Sequence, residues 1–507
     1  MFSPIGEQQS NVKAVPRIIQ LYLVFVVLAG LGIVFILHEG SRLSPPPGSP
    51  PQGTVVTEPE VVSGLHPQGH RLADAVLARL GENAKADLTR FFLQLLIVIT
   101  VSYSIGWVFT KIGQPAVVGE MMAGVLLGPS FFGWLAPSAF HFVFSSSSLQ
   151  PLHLFSQIGV CLFMFAVGMD MDLSEIRQKA HAALVISHVS IILPALFGIT
   201  LAYVFYQQLA QPGAPFISFA LFTAISMSIT AFPVLVRILQ DRGVLKTPLG
   251  RTAAACAAIG DVTAWGLLAF VVAFASSGDF AATASCFGLV LLFVAIMFYV
   301  VRPNLPRWLG AQALARDQPK KSVLTIVIAI VLACALTTQM IGIRALFGSF
   351  VAGLVMPATS GFRAKLGVRV ENVSSVLLLP VFFAFSGLRT QIGLLHDRSD
   401  WLIGLLIILL ATAGKFAGTA LSARVAGIKW RESFQLGALM NTRGLMELIA
   451  LNLGYELGIL SQRVFSMLVL MALTTTILTG PLLTLFGSKR RNPDLMPTAL
   501  DHVTSAS

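Results

Sequence analysis

The sequence predicts an all-α polytopic membrane protein, and three observations carry that expectation. Of 507 residues, 55% are hydrophobic and only 11% charged, a balance found in chains whose solvent is lipid and not in soluble domains of this length. Fourteen apolar runs reach or approach the roughly 20 residues that cross a bilayer as a helix. The basic residues are spread unevenly over the loops between these runs, as they are when Lys and Arg collect on the cytoplasmic side.

The runs fall near 17–38, 89–110, 115–130, 153–170, 181–205, 215–238, 250–275, 282–301, 322–341, 342–358, 373–392, 401–424, 433–454 and 463–487. Residues 1–40 form an extra N-terminal transmembrane span: the apolar run is long, and no small-x-small cleavage pattern follows His38. Residues 41–88, with Pro45-Pro-Pro-Gly-Ser-Pro-Pro51, read as a Pro-rich extracytoplasmic linker holding a short helix near Ala73 to Leu80. Residues 89–487 are the membrane domain, and 488–507 a short cytoplasmic tail.

With both termini inside, the inner loops carry Lys111, Arg237, Arg242, Lys246, Arg251, Arg302, Arg307, Arg363, Lys365, Arg424, Lys429 and Arg431, among others. The short outer loops hold only Arg344, Arg389, Arg398 and Arg463. Orientation therefore explains the net charge of +11, and nucleic acid is excluded as a partner because no basic arm or groove motif is present. Cys161, Cys256, Cys286 and Cys334 all lie in apolar runs, as small buried hydrophobes without disulfide or metal spacing.

The chain also repeats itself. Gly119-Glu-Met-Met-Ala-Gly-Val-Leu-Leu-Gly-Pro129 matches Gly348-Ser-Phe-Val-Ala-Gly-Leu-Val-Met-Pro357, and Phe163-Met-Phe-Ala-Val-Gly168 matches Phe382-Phe-Ala-Phe-Ser-Gly387. Each pair lies seven spans apart. Seven is odd, so equivalent spans run in opposite directions, the inverted repeat of secondary transporters.

Four ionisable residues fall at membrane depth. Asp261, in Cys256-Ala-Ala-Ile-Gly-Asp-Val-Thr-Ala-Trp-Gly266, sits mid-span, where an ionised carboxylate costs at least about 2.5 kcal/mol and marks a functional site by default. Lys415, equally deep among small residues, requires a counter-charge, and Asp261 is the candidate by depth. Arg443 and Glu447, four residues apart, share a helix face and neutralise one another. Glu120 lies on a short Gly-rich run of uncertain depth.

Two spans read as interrupted. In Ser226-Met-Ser-Ile-Thr-Ala-Phe-Pro-Val234, Pro233 lacks an amide hydrogen, while Ser226, Ser228 and Thr230 can satisfy freed backbone groups or face a cation. In Met440-Asn-Thr-Arg-Gly-Leu-Met-Glu447, Asn441, Thr442 and Arg443 precede a mid-membrane glycine. The two interruptions occupy matching places in the halves, as paired discontinuous helices do around an ion site.

With these residues in view, the chain resembles the cation:proton antiporter-2 family of monovalent cation/proton antiporters, most closely the membrane part of plant cation/proton exchangers and bacterial potassium efflux antiporters. The matching stretches are Ser228-Ile-Thr-Ala-Phe-Pro-Val-Leu235, Gly260-Asp261, Leu378-Leu-Pro-Val-Phe-Phe-Ala-Phe-Ser-Gly-Leu-Arg389, Gly414-Lys-Phe-Ala-Gly-Thr419 and Met440-Asn-Thr-Arg-Gly-Leu-Met-Glu-Leu448. The resemblance implies a sodium/proton antiporter fold with two inverted repeats and two crossing broken helices, thirteen family spans following the extra one, in a homodimer of the bacterial inner membrane.

It further implies a scaffold and a mobile core, with Asp261 as the carboxylate for the transported ion, Lys415 as its basic partner, and Thr230, Ser228 and Gly260 beside it. Relatives place Asp, Asn or Gln where this chain has Gly260, and a lone carboxylate favours exchange of one Na+ or K+ for one proton. No cofactor is implied beyond those ions, and lipid is the surrounding partner. Competing readings are a proton-independent or ligand-gated potassium efflux pathway, sodium-coupled symport of an organic anion, and an intramembrane aspartyl protease. The last is disfavoured because Ala258 breaks the glycine-x-glycine-aspartate element.

Overall fold

The computed structural model describes residues 6–44, 46, 86–145, 148–170, 180–277, 280–310, 321–357 and 362–486. Most of the Pro-rich linker, its expected short helix and the C-terminal tail lie outside the described residues. In chain order the principal helices are α1 (Gly6–Gly40), α2 (Asp87–Lys111), α3 (Ala116–Leu127), α4 (Leu149–Asp170), α5 (Ala180–Leu209), α6 (Phe216–Ser228), α7 (Phe232–Asp241), α8 (Pro248–Ser277) and α9 (Phe280–Ile296). They continue with α10 (Lys321–Ile341), α11 (Ala345–Leu354), α12 (Phe362–Val373), α13 (Leu379–Leu388), α14 (Arg398–Val425), α15 (Trp430–Met440), α16 (Leu445–Glu456) and α17 (Gln462–Phe486).

Twelve helical stretches among the described residues are long and apolar enough to cross a membrane, the first being Gln20–Gly40. Two of the fourteen apolar runs fall short of that length for physical reasons. The run at 342–358 is the ten-residue α11, and the run at 433–454 is split into α15 and α16. The run at 373–392 is the apolar part of a longer helix that begins at Phe362, because α12 continues through a π-helical turn, Ser374–Leu378, into α13.

The helices pack as two bodies. In one, α5 lies against α6, α8 and α14, and α14 against α15 and α17. In the other, α3 packs on α2 and α13, and α11 on α4 and α10. The bodies are joined through α9, which leaves α8 and reaches α10. Leu332 and Leu336 of α10, Leu405 and Leu409 of α14 and Leu291 and Leu292 of α9 are more than half exposed, the apolar outer surface a lipid-facing bundle requires.

Glycines permit the closest approaches, and they do so twice in the same pattern. A Cβ on Gly124 of α3 would lie 2.1 Å from the Phe383 carbonyl oxygen, and one on Gly387 1.9 Å from that of Gly124. Likewise a Cβ on Gly353 of α11 would lie 2.2 Å from the Phe165 carbonyl oxygen, and one on Gly168 2.3 Å from that of Phe350. These are the repeated motifs of the sequence, each packed on the other motif from the opposite half, backbone to backbone, as small residues allow in membranes.

Helix α1 lies along α5. Tyr22 Oη is 3.0 Å from His188 Nδ1, Gly32 faces Leu196, and Gln207 Nε2 donates to the Ser44 carbonyl at 2.7 Å. His188 Nε2 in turn lies 3.3 Å from Thr263 Oγ1, whose own proton goes to the Ile259 carbonyl. The tautomer follows: Nε2–H donates to Thr263, and Nδ1 accepts from Tyr22.

Candidate functional site

The first interruption begins where α6 ends. Ile229 and Ala231 are extended, with ψ of 137° and 97°, and α7 restarts at Phe232 with Pro233 in its first turn. Proline is tolerated there because the amide it lacks has no intrahelical partner in a first turn. The second interruption runs from Asn441 to Gly444, between α15 and α16. Gly444 sits close against α7, since a Cβ there would lie 2.9 Å from Val234 Cγ2.

The two breaks cross and are bonded together. Ala231 N–H donates to the Thr442 carbonyl at 3.0 Å, and Thr230 Oγ1 donates to the Met440 carbonyl at 3.1 Å. Four helix ends thus meet inside the protein: the C-termini of α6 and α15, carrying partial negative charge, and the N-termini of α7 and α16, carrying partial positive charge, roughly half an elementary charge each.

Four fully buried ionisable side chains, Asp261, Lys415, Arg443 and Glu447, stand around these ends. Arg443 Nη1 and Nη2 donate to the Ser226 and Met227 carbonyls, each at 2.7 Å, closing off the C-terminus of α6. Glu447, in the first turn of α16, pairs with Arg443 at 3.4 Å, as their spacing predicts. Lys415 Nζ donates to Thr230 Oγ1 between the C-termini of α6 and α15. Positive side chains therefore sit at negative helix ends, and Glu447 at a positive one.

Asp261 completes the pattern. The Phe232 N–H at the N-terminus of α7 faces its carboxylate without closing a full hydrogen bond, and neither oxygen accepts one from any other described group. A small cavity of about 10 Å³ lies beside it, bordered by Ile229, Ala264, Trp265, Leu268 and Met446.

Lys415 and Asp261 lie within electrostatic range of one another without a contact ion pair; the hydrogen bond of the ammonium goes to Thr230. Of the two uses open to Ser226 and Ser228, the structure shows bonding to backbone carbonyls. Ser226 Oγ donates to the Phe222 carbonyl, and Ser228 Oγ to those of Ala224 and Ile191, the usual use of a mid-helix hydroxyl with no aqueous partner.

The remaining candidates are placed as follows. Thr442 Oγ1 donates to the Leu439 carbonyl, and both polar atoms of the Asn441 side chain are buried without a partner. Gly260 faces Ser187: a Cβ would lie 3.1 Å from its hydroxyl. Glu120 is on α3, in the other body.

Sequence reasoning missed Trp265, one turn beyond Asp261. Its ring packs on Phe347 and Phe350 of α11, at centroid distances of 5.2 and 5.8 Å. The spacing Asp-x-x-x-Trp was legible, but the facing helix was not. It also missed the ion-pair cluster around Glu456, whose partners come from three separate segments.

A helical membrane bundle with two broken helices crossing beside a buried carboxylate belongs to the class of secondary transporters. The chain matches the model of the sodium/hydrogen exchanger transmembrane family over residues 96–489, and it belongs to that family. It is 38% identical over 390 residues to the Na(+)/H(+) antiporter NhaS4 of Synechocystis, covering 76% of this chain and 95% of that one. It is 38% identical over 402 residues to cation/H(+) antiporter 20 of Arabidopsis thaliana (77% and 47%). To K(+)/H(+) antiporter 1 of Saccharomyces cerevisiae it is 33% identical over 408 residues (79% and 46%).

The chain thus spans nearly all of the cyanobacterial relative and about half the length of the plant and yeast ones. Its fold is that of the sodium proton antiporter MjNhaP1 from Methanocaldococcus jannaschii, with a TM-score of 0.55 at 16% identity over 79% of this chain and 97% of that one. Helix α1 precedes the residues matched by the family.

Proposed function

We propose that this protein exchanges one monovalent cation, Na+ or K+, for one proton by alternating access, with both ions competing for Asp261. The observation that carries the reading is the state of that carboxylate: fully buried, free of any closed hydrogen bond, and beside a helix N-terminus. Lys415 and Arg443, which would otherwise neutralise it, are committed to the helix C-termini. A cation or a proton neutralises Asp261 equally well, so only the loaded site crosses the low-dielectric barrier cheaply.

Gly260 adds no second carboxylate, which supports a one-for-one exchange. The body containing α5–α8 and α14–α17 is the moving core, and the body of α2–α4 and α10–α13 the scaffold, through which two copies pair as a dimer. Asp261, Thr230 and the Asn441 amide are the site residues. The end bearing Lys111, Arg242, Arg363 and Lys429 faces the cytoplasm by the positive-inside rule, and a bacterial inner membrane with both termini cytoplasmic fits this orientation.

The test is dissipation of an imposed pH gradient in vesicles titrated with Na+, K+ and Li+, comparing the parent with Asp261→Asn. Cation-dependent dissipation in the parent and its loss in the variant are expected. Unchanged exchange in Asp261→Asn overturns the assignment, and cation flux indifferent to pH replaces antiport with an efflux pathway.

A further inference from the structure

The two bodies touch unequally at their two ends. At the end formed by the turns after α2 and α7, a cavity of about 430 Å³ lies between them, crossed by Gln114 Nε2, which donates to the Ile477 carbonyl at 3.3 Å. Thr110, Gln114 and Pro115 line it from one body, Arg237, Arg242 and Gly480 from the other. At the opposite end, where the isolated bridge between Ala210 and Leu460 marks the loops, polar side chains tie the bodies together.

The centre of that tie is Glu456, the last residue of α16. Its carboxylate meets Arg344 Nη1 at 3.2 Å, Arg389 Nη1 at 3.0 Å and His153 Nε2 at 3.0 Å. Glu456 belongs to one body and all three partners to the other. Arg389 also donates to Asn452 Oδ1 at 2.7 Å, and Asn452 Nδ2 to Ser386 Oγ at 2.8 Å. The rings of Phe385 and Tyr455 flank the Arg389 guanidinium at 4.4 and 5.2 Å, and His153 stacks on Phe385.

A second, independent observation marks the same place. Arg344 has a φ of 83°, the single positive value among the described non-glycine residues. Such a conformation persists only where the surroundings enforce it, and it concentrates at clamps and switches. Here it aims a guanidinium from the turn before α11 at a carboxylate on the other body.

We propose that Glu456 is the residue that holds the bodies closed at this end: a positioning residue that sets which face of the membrane Asp261 can reach. Its carboxylate is the counter-charge for two guanidiniums on one surface. Without it, Arg344 and Arg389 repel one another in a half-buried pocket and gain by parting into water. When the end opens in the transport cycle, the same groups become hydrated, so the tie is reversible. The proposal rests on the alternating-access reading, and its test is independent of ion flux.

The test uses the full chain in liposomes with the four native cysteines replaced by alanine and a reporter, Val469→Cys. Val469 lines a small cavity between the bodies, together with Ser386, Gly387 and Leu448. A membrane-impermeant maleimide is applied on the Glu456 side. Glu456→Gln is expected to raise the labelling rate about fivefold or more, the lower range of coupling between conformations, and Glu456→Asp to return it towards the parent. Arg344→Gln, which leaves Glu456 in place, serves as a second variant and shifts labelling in the same direction by less.

Unchanged labelling in folded Glu456→Gln overturns the proposal even where the parent exchanges ions. Faster labelling with no cation–proton exchange in any variant supports the tie and overturns the antiport reading instead.

Discussion

Arg443 donates to the Ser226 carbonyl at 2.7 Å across 217 positions of sequence, so the charge on one broken helix closes the open end of the other. Removing it frees two carbonyls and strands the Glu447 carboxylate. Arg443→Leu is expected to cost about 3–5 kcal/mol, the penalty for breaking a buried pair. Arg443→Leu with Glu447→Leu should recover part of that, and thermal unfolding of both variants in detergent measures it. Equal melting temperatures for Arg443→Leu and the parent would contradict the assignment.

Thr230 accepts from Lys415 and donates to the Met440 carbonyl, so its hydroxyl joins three segments. Thr230→Val is expected to lose about 1–3 kcal/mol, because a buried ammonium loses its acceptor, and Thr230→Ser to restore it. A Thr230→Val, Lys415→Met double-mutant cycle showing no coupling would remove the pair from the account.

Competition at Asp261 has a definite pH signature. Protons exclude the cation below the pKa of the site, so the apparent KM for Na+ or K+ rises about tenfold per pH unit as pH falls there, and levels off above it. Maximal velocity at saturating cation should change far less. Initial exchange rates at several pH values decide this, and a KM independent of pH contradicts a shared site.

The paired glycines should be among the least tolerant positions of the membrane domain. In Gly387→Ala the new Cβ meets the Gly124 carbonyl, and backbone cannot move aside as a side-chain tip can. A loss of several kcal/mol, at or beyond the usual 1–3 kcal/mol of overpacking, is expected. Gly260→Ala meets only the Ser187 hydroxyl at 3.1 Å and should fold with a small loss. Expression and melting temperature of the two variants give the comparison.

Tyr22 fixes α1 to α5 through His188. Tyr22→Phe is expected to lower stability by about 0.5–1.5 kcal/mol and to leave cation-dependent exchange in place, since α1 lies outside the family match. Loss of exchange in Tyr22→Phe would give this helix a part in transport.

Much of the architecture was legible in order along the chain. Lipid demands that backbone groups be paired internally, so apolar runs of spanning length become helices, and the departures stand out: Pro233, Gly444 and the lone charges at 261, 415, 443 and 447. The Arg443–Glu447 pair was readable because helical periodicity places residues four apart together. The bond from Lys415 to Thr230 was not, because depth along a span gives height in the membrane and says nothing of the facing surface.

The sequence by itself determined that this is a helical membrane protein with two interrupted spans and one central aspartate, since hydropathy, helix breakers and the cost of buried charge act locally. Tertiary structure alone decided which charge each helix end receives, and that the repeated glycines pair between halves. It also decided that Glu456 ties the two bodies at one end. Those outcomes depend on which surfaces meet, and contact between residues hundreds of positions apart leaves no local pattern to read.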